Sequence, residues 1–202
     1  MRRFVALTAF VTTVFSSTTV DPSHLTLAQA AALGLVDQVE ALLFSGIYVN
    51  STDEDTKTPL QAAAENGHYD VVQLLVSKGA HLHGTSSRVQ YSPLELASMN
   101  GHADIVWSLI EQGAYLDSTL TYRRKALELA SERGHLECMQ IILESNVDRE
   151  YRLAWGESPL EAAKGSGQLH AVRYCSNMAR AFISDYHSRS RQAGDILRSL
   201  RC

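Results

Sequence analysis

The sequence predicts an all-α fold in which short helix–turn–helix units stack into an elongated solenoid. One observation is a glycine that recurs at a nearly constant interval: Gly34, Gly67, Gly101, Gly134 and Gly167 are spaced by 33, 34, 33 and 33 residues. A fixed period in this range is the signature of a repeat architecture. The second observation is that two runs of apolar residues at helical spacing follow each other within each period.

The copies are most alike at the start of the first helix. Residues 58–68 read TPLQAAAENGH, residues 92–102 SPLELASMNGH, residues 125–135 KALELASERGH and residues 158–168 SPLEAAKGSGQ, and a weaker first copy is LTLAQAAALGL at 25–35. Neither helix of a unit can bury its apolar face alone, so each unit must stack on its neighbours. The predicted repeat domain is residues 25–175, with units of about 25–57, 58–91, 92–124, 125–157 and 158–175.

The start of each first helix has the pattern of a capping box. In the third unit Ser92 is placed as the N-cap, Pro93 stands at the first helical position, and Glu95 can accept from the Ser92 amide. Thr58 with Gln61 and Ser158 with Glu161 repeat the pattern. The same residues are open to a second interpretation, a catalytic serine beside a carboxylate, but a cap worth about 1 kcal/mol explains them without chemistry.

These motifs resemble the ankyrin repeat, whose pattern is close to TPLHLAAxxGH, an apolar second helix and then GADVN. Residues 58–83 match it most fully, and Gly46–Asn50 supplies a G-x-x-V-N ending. The histidine that follows TPL in the family is replaced by Gln61, Glu95, Glu128 and Glu161. The resemblance implies a turn-bracing hydrogen bond for His68, His102 and His135. The amino-acid sequences of the repeats and of the Thr/Ser-rich connectors are similar to those of filamentous-fungal ankyrin repeat proteins.

Composition and charge narrow the class of protein. Apolar residues make up 45% and charged residues 20% of the chain, as in ordinary soluble proteins, and the net charge of −4 argues against a nucleic-acid partner. Cys138 and Cys175 fall at core positions of second helices, and Cys202 is terminal. Since these thiols form no disulfide framework, cysteine usage favours the cytoplasm over secretion. We expect a monomer.

The two ends of the chain depart from the repeat. Residues 1–24 carry two arginines, an apolar run at 4–15 and a small polar run, which fits either a secretory signal peptide or an apolar helix that caps the first repeat. The apolar run is too short to span a membrane. Residues 176–202 are rich in arginine and are predicted to form a basic capping helix.

No pattern in the sequence predicts a cofactor, a metal or catalysis. The chain has no P-loop, no G-x-S-x-G and no dinucleotide fingerprint. His81 and His83 form an H-x-H pair, but no third ligand can be placed beside them, so we predict no metal site.

The resemblance also implies where a partner binds. In the ankyrin family the connectors and the exposed positions of the first helices form a concave groove. The first connector here is acidic at residues 53–55, while the three later ones contain Arg, Tyr or Trp, which are enriched at interaction hot spots. We therefore predict a groove centred on repeats three to five. The selected residues are Tyr91, Met99, Asn100, Tyr122, Arg123, Arg124, Arg133 and Trp155.

Two functions fit this interpretation. The first is a non-catalytic interaction module or adaptor that binds a protein in the groove. The alternative is a small-molecule-binding or accessory enzyme role, for example in a biosynthetic pathway, with Glu95, Glu128 or a neighbouring histidine acting in the groove. Trp107 stands apart from both, because its position is polar in other copies, and it is either a lone surface aromatic or a second contact on the convex side.

Overall fold

The computed structural model describes residues 25–52, 57–83, 91–114, 121–145, 158–178 and 180, and all regular structure within these ranges is helical. The predicted all-α solenoid is thereby confirmed. Each repeat supplies a first and a second helix. They are α1 (Leu27–Ala32) and α2 (Val36–Phe44), α3 (Pro59–Asn66) and α4 (Tyr69–Ser77), α5 (Pro93–Asn100) and α6 (Ala103–Glu111), α7 (Thr121–Arg133) and α8 (Leu136–Glu144), and α9 (Ser158–Gly165) followed by the helical stretch 169–178.

Capping boxes open the first helices of the second and third repeats, as predicted. The Ser92 amide donates to Glu95 Oε2 at 2.6 Å, and the Glu95 amide donates back to Ser92 Oγ at 3.3 Å. Thr58 and Gln61 make the same exchange. The structure adds a third box beyond the predicted ones, in which Thr26 caps α1 with Gln29. These bonds satisfy amides that the helix itself leaves unpaired, so the serine has a structural role.

The fourth repeat departs from its predicted boundary. Helix α7 begins at Thr121, so the assignment of residues 122–124 to a connector is wrong, and the boundary between units at 124/125 falls inside a helix. The physical reason is Ala126, which stands where α3 and α5 have Pro59 and Pro93. Proline disfavours helical backbone in the residue before it, whereas alanine lets the helix continue back toward its N-terminus. The misplaced residues are Tyr122, Arg123 and Arg124.

The fifth repeat is described only from the first residue of its first helix onward. Helix α9 begins at Ser158 itself, and the exposed Glu161 accepts from Lys164 Nζ at 2.9 Å through Oε1. The capping role of Ser158 stays a prediction.

Equivalent positions of successive repeats form one continuous core. Leu60, Leu94 and Leu127, which occupy the same place in three first helices, are all buried. Cys138 and Cys175 are buried as predicted. The core therefore extends from repeat to repeat rather than being closed within one unit.

Histidine side chains tie each repeat to the one before it. His102 Nε2 lies 3.1 Å from the Glu65 carbonyl oxygen, and His135 Nε2 lies 3.1 Å from that of Met99. Because a carbonyl oxygen only accepts, each Nε2 carries the proton. The His68 ring bonds in the same way to the Ala32 carbonyl, at 2.9 Å. The bracing bond that the family resemblance implies is thus confirmed as a bond between repeats.

Gly67 shows why a glycine ends each first helix. Its φ is +80°, a region that side chains disfavour, and an added Cβ would lie 2.6 Å from the His102 ring. The histidine of the next repeat therefore packs directly against the bare backbone of this turn.

The two helical layers are not equally close-packed. Neighbouring first helices contact each other more extensively than neighbouring second helices do. The stack therefore curves toward the first helices. We call their side the inner face and the side of the second helices the outer face. Among the described residues, no helix combines the length and the apolar character needed to cross a membrane.

Candidate partner-binding groove

In the second repeat the inner-face side chains pair with each other. Lys57, just before α3, donates to Glu65 at 2.6 Å, and both side chains are about one-third exposed, at 36% and 30%. An ion pair that is this open to water contributes little to stability, on the order of 0–1 kcal/mol. This end of the groove therefore presents a neutralised pair.

The third repeat replaces that pair by an aromatic side chain. Tyr91 occupies the position that corresponds to Lys57, and Lys125 Nζ of the next repeat lies 4.6 Å from its ring centroid. The Tyr91 carbonyl oxygen accepts from Gln61 Nε2 at 2.9 Å. Tyr91, at the junction of repeats two and three, is thus held by Gln61 of repeat two through its carbonyl oxygen and by Lys125 of repeat four through a cation–π contact.

The residues at the ends of α5 and α7 have mixed roles. Met99 is partly exposed, and its carbonyl oxygen accepts from His135. Asn100 is exposed, but its side-chain Nδ2 donates to the Leu96 carbonyl oxygen at 3.1 Å and so caps the end of its own helix. Arg133, the last residue of α7, is exposed. Met99 and Arg133 therefore offer side chains to a partner more directly than Asn100 does.

Four predicted groove residues have no described side-chain contacts. Tyr122, Arg123 and Arg124 lie in the first turn of α7, where only the backbone is described. Trp155 lies outside the described residues, as do the acidic connector at 53–55 and the connectors around residues 88 and 151–152. Their part in binding stays a prediction.

Glu95 is buried beneath the groove rather than exposed in it. Its side chain is 1% exposed. Burial raises the pKa of the Glu95 carboxyl above its ordinary value, against the opposing effect of hydrogen bonds from Ser92 and the charge of Lys125. A raised pKa is often a mark of an acid–base catalyst, but this carboxyl is enclosed and serves as a cap. A substrate in the groove would not reach it.

The H-x-H pair is likewise tied to structure. The His81 amide donates to Asn50 Oδ1 at 2.7 Å, which links the connectors after repeats one and two. Throughout the part of the chain that the structure describes, no three His, Cys, Asp or Glu side chains gather as metal ligands would.

Lys125 is a groove residue that was not among those predicted from the sequence. A signal was available, because Lys125 stands at the cap position held by Thr58 and Ser92, where lysine cannot accept a hydrogen bond from an amide. A residue that cannot cap the helix at this N-cap position has a role other than capping. Its contact with Tyr91 joins residues 34 positions apart, which is one repeat.

Comparison with known proteins agrees with this geometry. Residues 27–119 match the family model "Ankyrin repeats (3 copies)". The structure also aligns with the crystal structure of the human ASB11 ankyrin repeat domain, with a TM-score of 0.65 and 27% identity, over 77% of this chain and 69% of that one. Residues 27–119 therefore belong to the ankyrin repeat family.

Sequence relatives with ankyrin repeats match shorter segments. The chain is 41% identical over 66 residues to "Ankyrin repeat domain-containing protein 49" of Homo sapiens, which is 33% of this chain and 28% of that protein. It is 45% identical over 49 residues to "Protein fem-1 homolog C" of Danio rerio, which is 24% of this chain and 8% of that protein. The match thus spans little more than a quarter of the human relative.

Proposed function

We propose that this ankyrin repeat domain is a non-catalytic module that binds a partner protein on its inner face, in repeats three to five. Ankyrin repeats are general protein-interaction modules. The observation that carries the proposal is the Tyr91–Lys125 contact, an aromatic ring and a cation presented together by adjacent repeats. Preorganised side chains of this kind lose little conformational entropy when they bind.

The composition of the inner face changes along the stack, which supports placing the partner toward its C-terminal half. Repeat two offers the mutually satisfied Lys57–Glu65 pair, whereas repeats three and four offer Tyr91, Met99 and Arg133. Tyrosine and arginine are the side chains most often found at the energetic centre of interfaces. The enclosed Glu95 removes one of the groups that the enzymatic alternative would need.

Capture from a cell extract tests the proposal. The bait is the full chain, and bound proteins are identified by mass spectrometry. We expect Tyr91→Ala with Arg133→Ala to abolish recovery of the specific partner while leaving the fold intact. The matched control is Tyr48→Ala with Arg173→Ala, because both residues are exposed and lie away from the proposed groove. If the control pair loses the partner and the groove pair keeps it, the proposed site is wrong.

A further inference from the structure

An open pocket of about 360 Å³ lies on the outer face. It spans three successive second helices, α4, α6 and α8. It is separate from the inner-face groove, which is formed by first helices. The residues that line it are Tyr69, Ala103, Asp104, Trp107, Glu137 and Ile141.

Two aromatic side chains flank this pocket in exposed positions. Trp107 is 51% and Tyr69 is 40% exposed. The position of Trp107 is occupied by Gln73, Gln140 and Arg173 in other repeats, so the fold does not require an indole here. Ala103 and Ile141 add apolar surface between the helices. The pocket therefore exposes two ring systems, and the indole of Trp107 is not needed to hold the stack together.

The outer face is acidic in the second helices of the first four repeats, whereas the helical stretch 169–178 of the fifth contains the exposed Arg173. Helices α2, α4, α6 and α8 contain no Lys or Arg. Acids in the first turn have a structural explanation, since the helix dipole favours them there, but it disfavours Glu111 and Glu144 at the last residues of α6 and α8. The acidic residues of these four helices are Asp37, Glu40, Asp70, Asp104, Glu111, Glu137 and Glu144.

Two of these carboxylates meet at the pocket. Asp104 of α6 and Glu137 of α8 both line it. Burial first, and then the charges of Glu137 and Asp104, raise the pKa of the buried Cys138 thiol to about 12. Negative charge from two repeats is therefore concentrated beside the exposed rings.

We infer that the Trp107 pocket is a second binding site, which takes an arginine side chain from a basic segment of a partner protein. A guanidinium is planar, so it can stack on the indole while its N–H groups bond to the carboxylates of Asp104 and Glu137. The acidic face around the pocket attracts the flanking positive charges. The inference does not depend on the inner-face proposal, because it concerns the other face of the stack.

Titration of the full chain with a fluorescent hexa-arginine peptide tests this site. We expect saturable binding that weakens about fivefold or more in Trp107→Ala, since cation–π contacts contribute on this order. Asp104→Asn with Glu137→Gln should weaken binding at least as much. Hexa-lysine should bind several-fold more weakly than hexa-arginine, because an ammonium neither stacks nor forms bidentate bonds.

A charge-matched control separates a built pocket from general attraction. Asp37→Asn with Glu40→Gln removes the same charge from the outer face in repeat one, and we expect less than a twofold loss. Equal losses for the two acidic pairs, or full affinity in a folded Trp107→Ala variant, would overturn the proposal. So would sedimentation that shows the chain pairing with itself through Trp107 in the absence of peptide, because the pocket would then be an interface between copies.

Discussion

At the scale of the residue, one position in each first helix both caps its own helix and faces the next repeat. In repeat two Gln61 accepts from the Thr58 amide and donates to the Tyr91 carbonyl oxygen, at 2.9 Å in each case. In repeat three Glu95 makes the cap, but an ionised carboxylate has no proton to donate. The same fold therefore places an uncharged bridging group in one repeat and a buried carboxyl in the next.

Glu95→Gln should stabilise the protein at neutral pH by about 1 kcal/mol. A glutamine can accept from the Ser92 amide as the carboxylate does and can also donate, as Gln61 does, and one hydrogen bond has a net value of this order. Because burial raises the folded-state pKa of Glu95 above its ordinary value of 4.5, the folded chain binds a proton that the unfolded chain has released. The contribution of this proton to the free energy of unfolding is complete below pH 4.5 and is lost as the pH rises through the folded-state pKa of Glu95. The variant should lack that loss when urea unfolding is followed from pH 4 to pH 8.

The reverse change at the equivalent position is the control. Gln61→Glu removes the donor to the Tyr91 carbonyl oxygen and buries a charge, so we expect a loss of about 1–3 kcal/mol at pH 7. A Glu95→Gln variant that is less stable than the wild type at pH 7 would contradict the explanation.

A pair of glycine substitutions measures the contact between repeats. Gly67 and Gly79 have nearly the same φ, +80° and +83°, but only Gly67 has the His102 ring within reach of an added Cβ. We expect Gly79→Ala to cost about 1–2 kcal/mol for backbone strain alone. Gly67→Ala should cost at least about 1 kcal/mol more, because the displaced ring loses its bond to Glu65. Equal losses in thermal or urea unfolding would show that the histidine contact contributes nothing.

At the scale of the element, α7 shows how one residue sets the length of a helix. Ala126→Pro should restore the start seen in α3 and α5, because proline removes an amide donor and disfavours helical backbone at Lys125. In hydrogen exchange we expect the amides of Lys125, Leu127 and Glu128 to lose protection, while that of Ala130 keeps it. Unchanged protection at all four amides would mean that proline does not decide where the helix begins.

The elements also show what sequence can predict. Helix starts at Pro59 and Pro93 follow from local chemistry, since cap, proline and acceptor stand within four residues. The motif of the other copies does not predict the backward extension of α7, because it places a helix start at Lys125 and Ala126 although neither residue requires one there. Departures from a repeat have to be interpreted by their own propensities.

At the scale of the whole molecule, the repeat period and the residue types together predict the solenoid. They do not predict which side chains pair across repeats. The Tyr91–Lys125 contact and the Trp107 pocket depend on the rotation and spacing between units. Sequence predicted that Tyr91 belongs to the groove and that Trp107 is exposed. It did not predict that Lys125 lies over the Tyr91 ring, or that Asp104 and Glu137 line the same pocket as Trp107.

The measurement that tests the inner-face assignment most directly is calorimetric titration of the captured partner against two variants of equal thermal stability. For Tyr91→Ala with Arg133→Ala we predict that binding weakens by about 2 kcal/mol or more, as for hot-spot residues. For Trp107→Ala, on the outer face, we predict a change below about 0.5 kcal/mol. Unchanged affinity in the inner-face variant, together with a large loss in Trp107→Ala, would contradict the account and assign this partner to the second helices.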